Sequence, residues 1–236
     1  MESICGIFRI PFLCEEERKA CGLAVMRVSD FSEFLSAKWL SKPEEKKFNS
    51  ISSEKIKIQF ACGRVAAKAA LGIFEDIAPS NVEIANEANG RPIICNSAYG
   101  VSISHSGEWI ACLVFPKEFL FGIDVEQMRS NRRNALKYMS GEELIPDNLQ
   151  NLTVAWTLKE ALSKALKLGF YVPFEELAIS HFSGKNGVFE CEFTKRQTFK
   201  GLAIFCGNTS LAIVCEKKCL WDRCVHQTLF SACPAA

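Results

Sequence analysis

Apolar positions along this chain change period several times, and each change predicts an element. Over residues 53–72 the apolar residues Ile58, Cys62, Val65 and Ala69 recur at helical spacing, with Gly72 as a C-terminal stop. Residues 101–104 alternate, as a strand does. Residues 109–115 are almost continuously apolar, the pattern of a strand covered on both faces. Another strand is expected over 119–125, with Pro116-Lys117-Glu118 as a hairpin connection. Helical spacing returns over 148–168, and further strands are expected near 177–182, 188–193, 201–206 and 210–215. Gly90-Arg91-Pro92 reads as a turn. Residues 1–45 read only as short apolar segments around an acidic–basic loop at 14–19.

The two halves echo each other. Ala66-Ala67-Lys68-Ala69-Ala70-Leu71-Gly72 resembles the stretch from Leu162 to Gly169 around Lys164, an offset of 96 between the lysines. Ile110-Ala111 and Leu211-Ala212 follow similar polar turns, an offset of 101. Such near-constant offsets point to an internal duplication. They predict an α+β fold of two similar α/β halves related by a pseudo-twofold, residues 1–117 and 118–236, with a site in the cleft between them.

Composition narrows the class. The chain has 236 residues, 48% hydrophobic and 23% charged, the mix of a soluble globular protein. A formal net charge of +1 supplies no global field toward nucleic acid or membrane, so neither is expected as a partner. No segment approaches the roughly 18 apolar residues of a membrane span, and the N-terminus lacks the pattern of a signal peptide. Twelve cysteines without a secretory signal imply reduced thiols in a cytoplasmic protein, several of them buried. In the tail, Cys215, Cys219, Cys224, His226 and Cys233 cluster without a Cys-x-x-Cys pair. They read as ordinary thiols rather than a zinc site.

The candidate chemistry rests on three carboxylates. Asp124 and Glu126, two apart in Gly122-Ile123-Asp124-Val125-Glu126, share one face of a strand. Glu160, in Trp156-Thr157-Leu158-Lys159-Glu160-Ala161, shares a helix face with Lys164, four residues on. Hard oxygen donors beside a lysine suit magnesium, with manganese as the other candidate, working on phosphate. The bland alternatives are an acidic edge strand and a solvated helix face carrying Lys159, Lys164 and Lys167. Ser104-His105-Ser106-Gly107 offers hydroxyl, imidazole and backbone donors of the kind that grip phosphate. Arg91 is either a surface residue or a bidentate phosphate clamp. Arg64 and Lys68 share a helix face and form a second clamp or a solvated stripe.

Four motifs in one order carry a family resemblance. Asn89-Gly90-Arg91-Pro92, Ser102-Ile103-Ser104-His105-Ser106, Gly122-Ile123-Asp124-Val125-Glu126 and Trp156-Thr157-Leu158-Lys159-Glu160-Ala161-x-x-Lys164 together resemble the 4′-phosphopantetheinyl transferases of the larger, surfactin-synthetase type. The match covers about residues 50–170, and looser matches flank it. The resemblance implies transfer of 4′-phosphopantetheine from coenzyme A to a serine of an acyl or peptidyl carrier protein, releasing adenosine 3′,5′-bisphosphate. It places Asp124, Glu126 and Glu160 on magnesium, and Arg91, Ser104 and His105 with coenzyme A. Arg64 and Lys68 are further coenzyme A candidates. Lys164 would bind the pyrophosphate, and Glu160 or Glu143 would take the serine proton, with Glu142 the neighbouring alternative. Carrier docking is expected at 115–121 and 128–150, where Arg129, Arg132, Arg133 and Lys137 form a basic patch. Length and echo predict a monomer, unlike the trimeric short holo-acyl-carrier-protein synthases. The other readings are a catalytically silent module that binds coenzyme A or a carrier protein, and a metal-dependent phosphohydrolase.

Overall fold

The computed structural model describes residues 6–31, 38–134, 145–167 and 173–233. It opens with a hairpin, β1 (Gly6–Cys14) and β2 (Glu17–Arg27). The reversal falls at Glu15 and Glu16, with φ of 49° and 69°, both left-handed as a two-residue hairpin turn requires. Two helices follow, α1 (Lys42–Ser50) and α2 (Glu54–Leu71). A small antiparallel pair comes next, β3 (Ile84–Asn86) with β4 (Pro92–Ile94), then β5 (Tyr99–Ser106) and β6 (Trp109–Pro116). The second half runs β7 (Phe121–Gln127), α3 (Leu149–Ala165), β8 (Ile179–Lys185), β9 (Val188–Phe193), β10 (Phe199–Cys206) and β11 (Thr209–Glu216). A short β12 (Leu220–Trp221) and α4 (Val225–Ala232) end the described chain.

Two five-stranded antiparallel sheets result, ordered β12-β1-β2-β6-β5 and β7-β11-β10-β9-β8. A shared apolar core lies between them. Leu23, Val25, Leu113 and Phe115 enter it from the first sheet, and Phe121, Ile123, Ile204 and Ile213 from the second. α2 covers the outer face of the first sheet through Cys62, Val65, Ala66 and Ala69. α3 covers the second through Val154, Leu158, Ala161 and Leu162. Central strands are therefore buried on both faces, which is why β6 and β11 read as continuous apolar runs rather than alternations. The outer β9 does alternate, with buried Phe189, Cys191 and Phe193 separated by exposed residues.

Several sequence expectations are corrected. Pro116-Lys117-Glu118 is no hairpin: β6 pairs with β2 and β5, while β7 pairs with β11, so the chain passes there from one sheet to the other. Residues 6–27 form a long hairpin where only short segments were expected. The echo holds in the strands at an offset of 100, not 101. Ala111, Leu113 and Phe115 face the shared core as Leu211, Ile213 and Cys215 do, and Cys21, Leu23 and Val25 as Phe121, Ile123 and Val125 do. The turn glycines Gly107 and Gly207 both have φ of 59°. A one-residue error in offset would reverse every side chain, because strand faces alternate.

Candidate functional site

β7 is the edge of its sheet, and β5 is the edge of the other. The two edges lie side by side, joined by serine hydroxyls. Ser102 Oγ accepts from the Ile123 N–H at 3.2 Å, and Ser106 Oγ accepts from the Gln127 N–H at 3.1 Å. Ser104 Oγ donates to Asp124 Oδ1 at 2.5 Å, and Ser106 Oγ donates to Glu126 Oε2 at 2.8 Å. The alternation of three serines was visible in the sequence, where Ser104 and Ser106 were read as phosphate-gripping hydroxyls and Ser102 was given no role. The expected place of Ser104 in a phosphate pocket is corrected: Ser104 is 4% exposed, and its hydroxyl supports a carboxylate instead.

The opposite side of the site comes from α3. Asn148 caps this helix, its side chain accepting from the Asn151 N–H at 2.8 Å. The helix lies so close to β7 that a Cβ at Gly122 would collide with the backbone of Ala161 and Ala165. Gly122 therefore sets the helix–strand distance, and small residues on both elements allow it. At that distance Lys164 Nζ reaches Asp124 Oδ1 at 2.6 Å. Lys159, read as part of a solvated face, is instead 1% exposed.

The site is dense in negative charge. Glu160 is half-buried, and its pKa is pushed up to about 7. Burial is the largest cause, the Asp124 and Glu126 carboxylates add to it, and the Lys164 ammonium opposes it. His105 is exposed on β5, yet the crowding around its ring and the charge of Lys164 hold its pKa below the usual imidazole value. Asp124 is 4% exposed, and its Oδ2 is buried without a hydrogen-bond partner among the described residues. A buried carboxylate oxygen left so, beside two further acids, has the chemistry that a hard cation would satisfy. Among the described residues no three His, Cys, Asp or Glu side chains form a closed metal cage. Magnesium does not need one, since it is commonly held by one or two carboxylates plus water and substrate phosphate. The donor set fits it on those terms.

The remaining candidates divide. Arg91 is engaged by Glu87 through two contacts of 2.8 and 2.7 Å. Its turn reaches the second half where the Asn89 amide donates to the Lys167 carbonyl at 3.5 Å. Arg64 stacks on Phe60 at 4.6 Å, donates to Asn86, and borders a cavity of about 550 Å³ between α1, α2 and β3. None of the three carboxylates lines that cavity. Lys68 is corrected: it is 3% exposed and its ammonium is spent inside the protein, on the Glu44 carboxylate and the Trp39 carbonyl at 2.7 Å. Glu44 also accepts from the N–H groups of Ser41 and Ile84, so this is a structural knot under α2. Neither helix residue forms a solvated stripe. Glu142, Glu143 and Lys137 lie outside the described residues. Arg133 reaches Asp147 at 3.1 Å on the surface. In the tail, Cys215, Cys219 and Cys233 are core residues, and burial pushes the thiols of Cys219 and Cys233 up to about 12.

The structure is thus a mixed α/β fold with a carboxylate–lysine cluster at the junction of two sheets. Residues 120–214, which include β7 and α3, match the family model described as the 4′-phosphopantetheinyl transferase superfamily. No curated protein matches the chain significantly. Among solved structures, the holo-[acyl-carrier-protein] synthase of Thermotoga maritima is similar at 24% identity over 44% of this chain and 67% of its own, with a TM-score of 0.35. A holo-(acyl-carrier-protein) synthase from Bacillus anthracis in complex with CoA (3′,5′-ADP) is similar at 19% identity over 45% and 96%, with a TM-score of 0.38.

Proposed function

We propose that this protein transfers 4′-phosphopantetheine from coenzyme A to a serine hydroxyl of an acyl or peptidyl carrier protein, releasing adenosine 3′,5′-bisphosphate. The observation that carries the reading is the Asp124 carboxylate. It is buried, tied through Oδ1 to Lys164 and Ser104, and left with an Oδ2 unpartnered among the described residues, beside Glu126 and Glu160. The superfamily match over residues 120–214 contains all of these groups but Ser104.

Asp124, Glu126 and Glu160 would hold magnesium, which supplies charge neutralisation at the pyrophosphate when bound. The serine oxygen attacks the phosphorus that carries pantetheine, and the bond from that phosphorus to the adenosine bisphosphate breaks. Lys164 stabilises the negative charge that develops on the departing phosphate. Glu160 accepts the serine proton, because its helix can present one carboxylate to both the cation and the incoming hydroxyl. Arg91 exchanges Glu87 for a coenzyme A phosphate, and His105, beside Lys164, contributes a second donor. Arg129 and Arg133 present positive charge to an acidic carrier helix. The chain acts as a monomer of the larger, surfactin-synthetase type in the cytoplasm.

The test is an intact-mass measurement on apo carriers from fatty-acid, polyketide and peptide synthesis, after incubation with the protein, coenzyme A and magnesium. One added phosphopantetheinyl group is expected on at least one carrier. No mass gain on any of them overturns the proposal.

A further inference from the structure

The acids of the site are oriented by the opposite sheet. Ser102, Ser104 and Ser106 alternate along β5, so their side chains share one face. Each meets β7, and Ser106 meets it twice, accepting from the Gln127 N–H at 3.1 Å and donating to Glu126 Oε2 at 2.8 Å. Ser106 is 9% exposed, so both bonds are shielded from water and hold the hydroxyl in one rotamer. At the offset of 100, the positions of Ser102, Ser104 and Ser106 carry Leu202, Ile204 and Cys206, while those of Asp124 and Glu126 carry Ala24 and Met26. Those positions fall on β10 and β2, which are interior strands of their sheets. Serines and acids thus face each other where the edges β5 and β7 meet, and both are absent from the corresponding interior strands.

We propose that Ser106 is a positioning residue of the cation site, orienting the Glu126 carboxylate by bridging it to the β7 backbone. A glutamate side chain has three rotatable bonds, and anchoring one of its oxygens removes most of that freedom before a cation arrives. Ser102, bonded to the Ile123 N–H, holds the same strand at the residue just before Asp124 and keeps the two edges in register. The inference rests on reading Asp124 and Glu126 as cation ligands.

Manganese binding to the whole protein, followed by titration calorimetry or electron paramagnetic resonance without coenzyme A or carrier, separates the two ideas. Ser106→Ala is expected to weaken manganese binding about tenfold, as loss of a ligand-orienting partner commonly does, while the melting temperature changes little. Ser106→Thr, which keeps the hydroxyl, restores most of the affinity. Wild-type affinity in Ser106→Ala overturns the positioning role, and so does a loss that Ser106→Thr shares in full. If Ser106→Ala does not fold, Ser106→Cys carries the comparison, because it keeps the volume and weakens the donor. Failure of the wild-type protein to bind manganese at all overturns the cation reading itself.

Discussion

Glu160 carries the sharpest prediction at the scale of single residues. Its pKa near 7 in the folded protein, against an ordinary carboxylate value of 4.5, means that the folded state holds an extra proton between those limits. Stability then falls as pH rises from about 4.5 through 7, by up to about 3 kcal/mol at full effect. Glu160→Gln removes this dependence, so denaturant unfolding from pH 5 to 8 should show a flatter profile than wild type, with the variant the more stable at pH 8. Bound magnesium favours the ionised carboxylate, so adding it at pH 7 should release protons, seen as a buffer-dependent heat in calorimetry. The same substitution should lower phosphopantetheine transfer by at least 100-fold at saturating magnesium, the scale of a lost general base. Substantial residual activity would show that Glu160 is not the base. Lys68 behaves in the opposite way. Lys68→Ala removes the nearer of the two cations beside the buried Glu44 carboxylate, leaving Arg64 at 3.7 Å, and should cost about 3 kcal/mol in denaturant unfolding. The carboxylate cluster should keep its cation affinity wherever the variant is folded.

At the scale of elements, the distance between α3 and β7 decides whether the acids and Lys164 meet. Gly122→Ala forces a methyl group into the backbone of Ala161 and Ala165, neither of which is a flexible side chain that can move aside. The helix must lift, at a cost of about 1–3 kcal/mol or more, and Lys164 is carried away from Asp124. Gly22 holds the equivalent place in the first half, where an added Cβ would meet the Ala70 carbonyl under α2. Gly22→Ala should therefore cost stability by a similar amount while leaving manganese affinity close to wild type. Equal losses of affinity in the two variants would mean that the helix–strand distance does not govern the site. The elements themselves were largely legible. The helical spacing of Ile58, Cys62, Val65 and Ala69 and the apolar runs around Leu113 and Ile213 follow directly from which faces are covered. The first hairpin was not legible, because β2 is buried on both faces and Pro11 interrupts β1, so neither strand shows a clean period. α1 was missed as well: its mostly polar sequence buries only Glu44 and Phe48.

The whole molecule is closed by its last residues. β12 pairs with β1, and α4 inserts Val225, Leu229 and Ala232 into the core between the sheets. Ending the chain after Lys217 should expose that core, giving loss of cooperative thermal unfolding or aggregation, even though every proposed catalytic group is retained. A truncated protein that unfolds like the full chain would contradict the role given to this segment. The tail cysteines gain their explanation at this scale. Cys215, Cys219 and Cys233 line the shared core as small apolar side chains, in an environment that disfavours the thiolate.

By itself the sequence determined which residues carry charge and where periodicity changes. That was enough to select Asp124, Glu126, Glu160 and Lys164, because strand and helix periods fix which side chains share a face within one element. Like patterns recurring at a near-constant distance also pointed to two similar halves. Tertiary structure alone decided what those faces meet. It paired Asp124 with Lys164 and Ser104 across two sheets, turned Lys68 inward onto Glu44, and gave Arg91 to Glu87. The physical reason is that periodicity is a local property of the backbone. A hydrogen bond between edge strands 20 residues apart, such as Ser106 to Glu126, depends on how two sheets are stacked, and no local pattern encodes that.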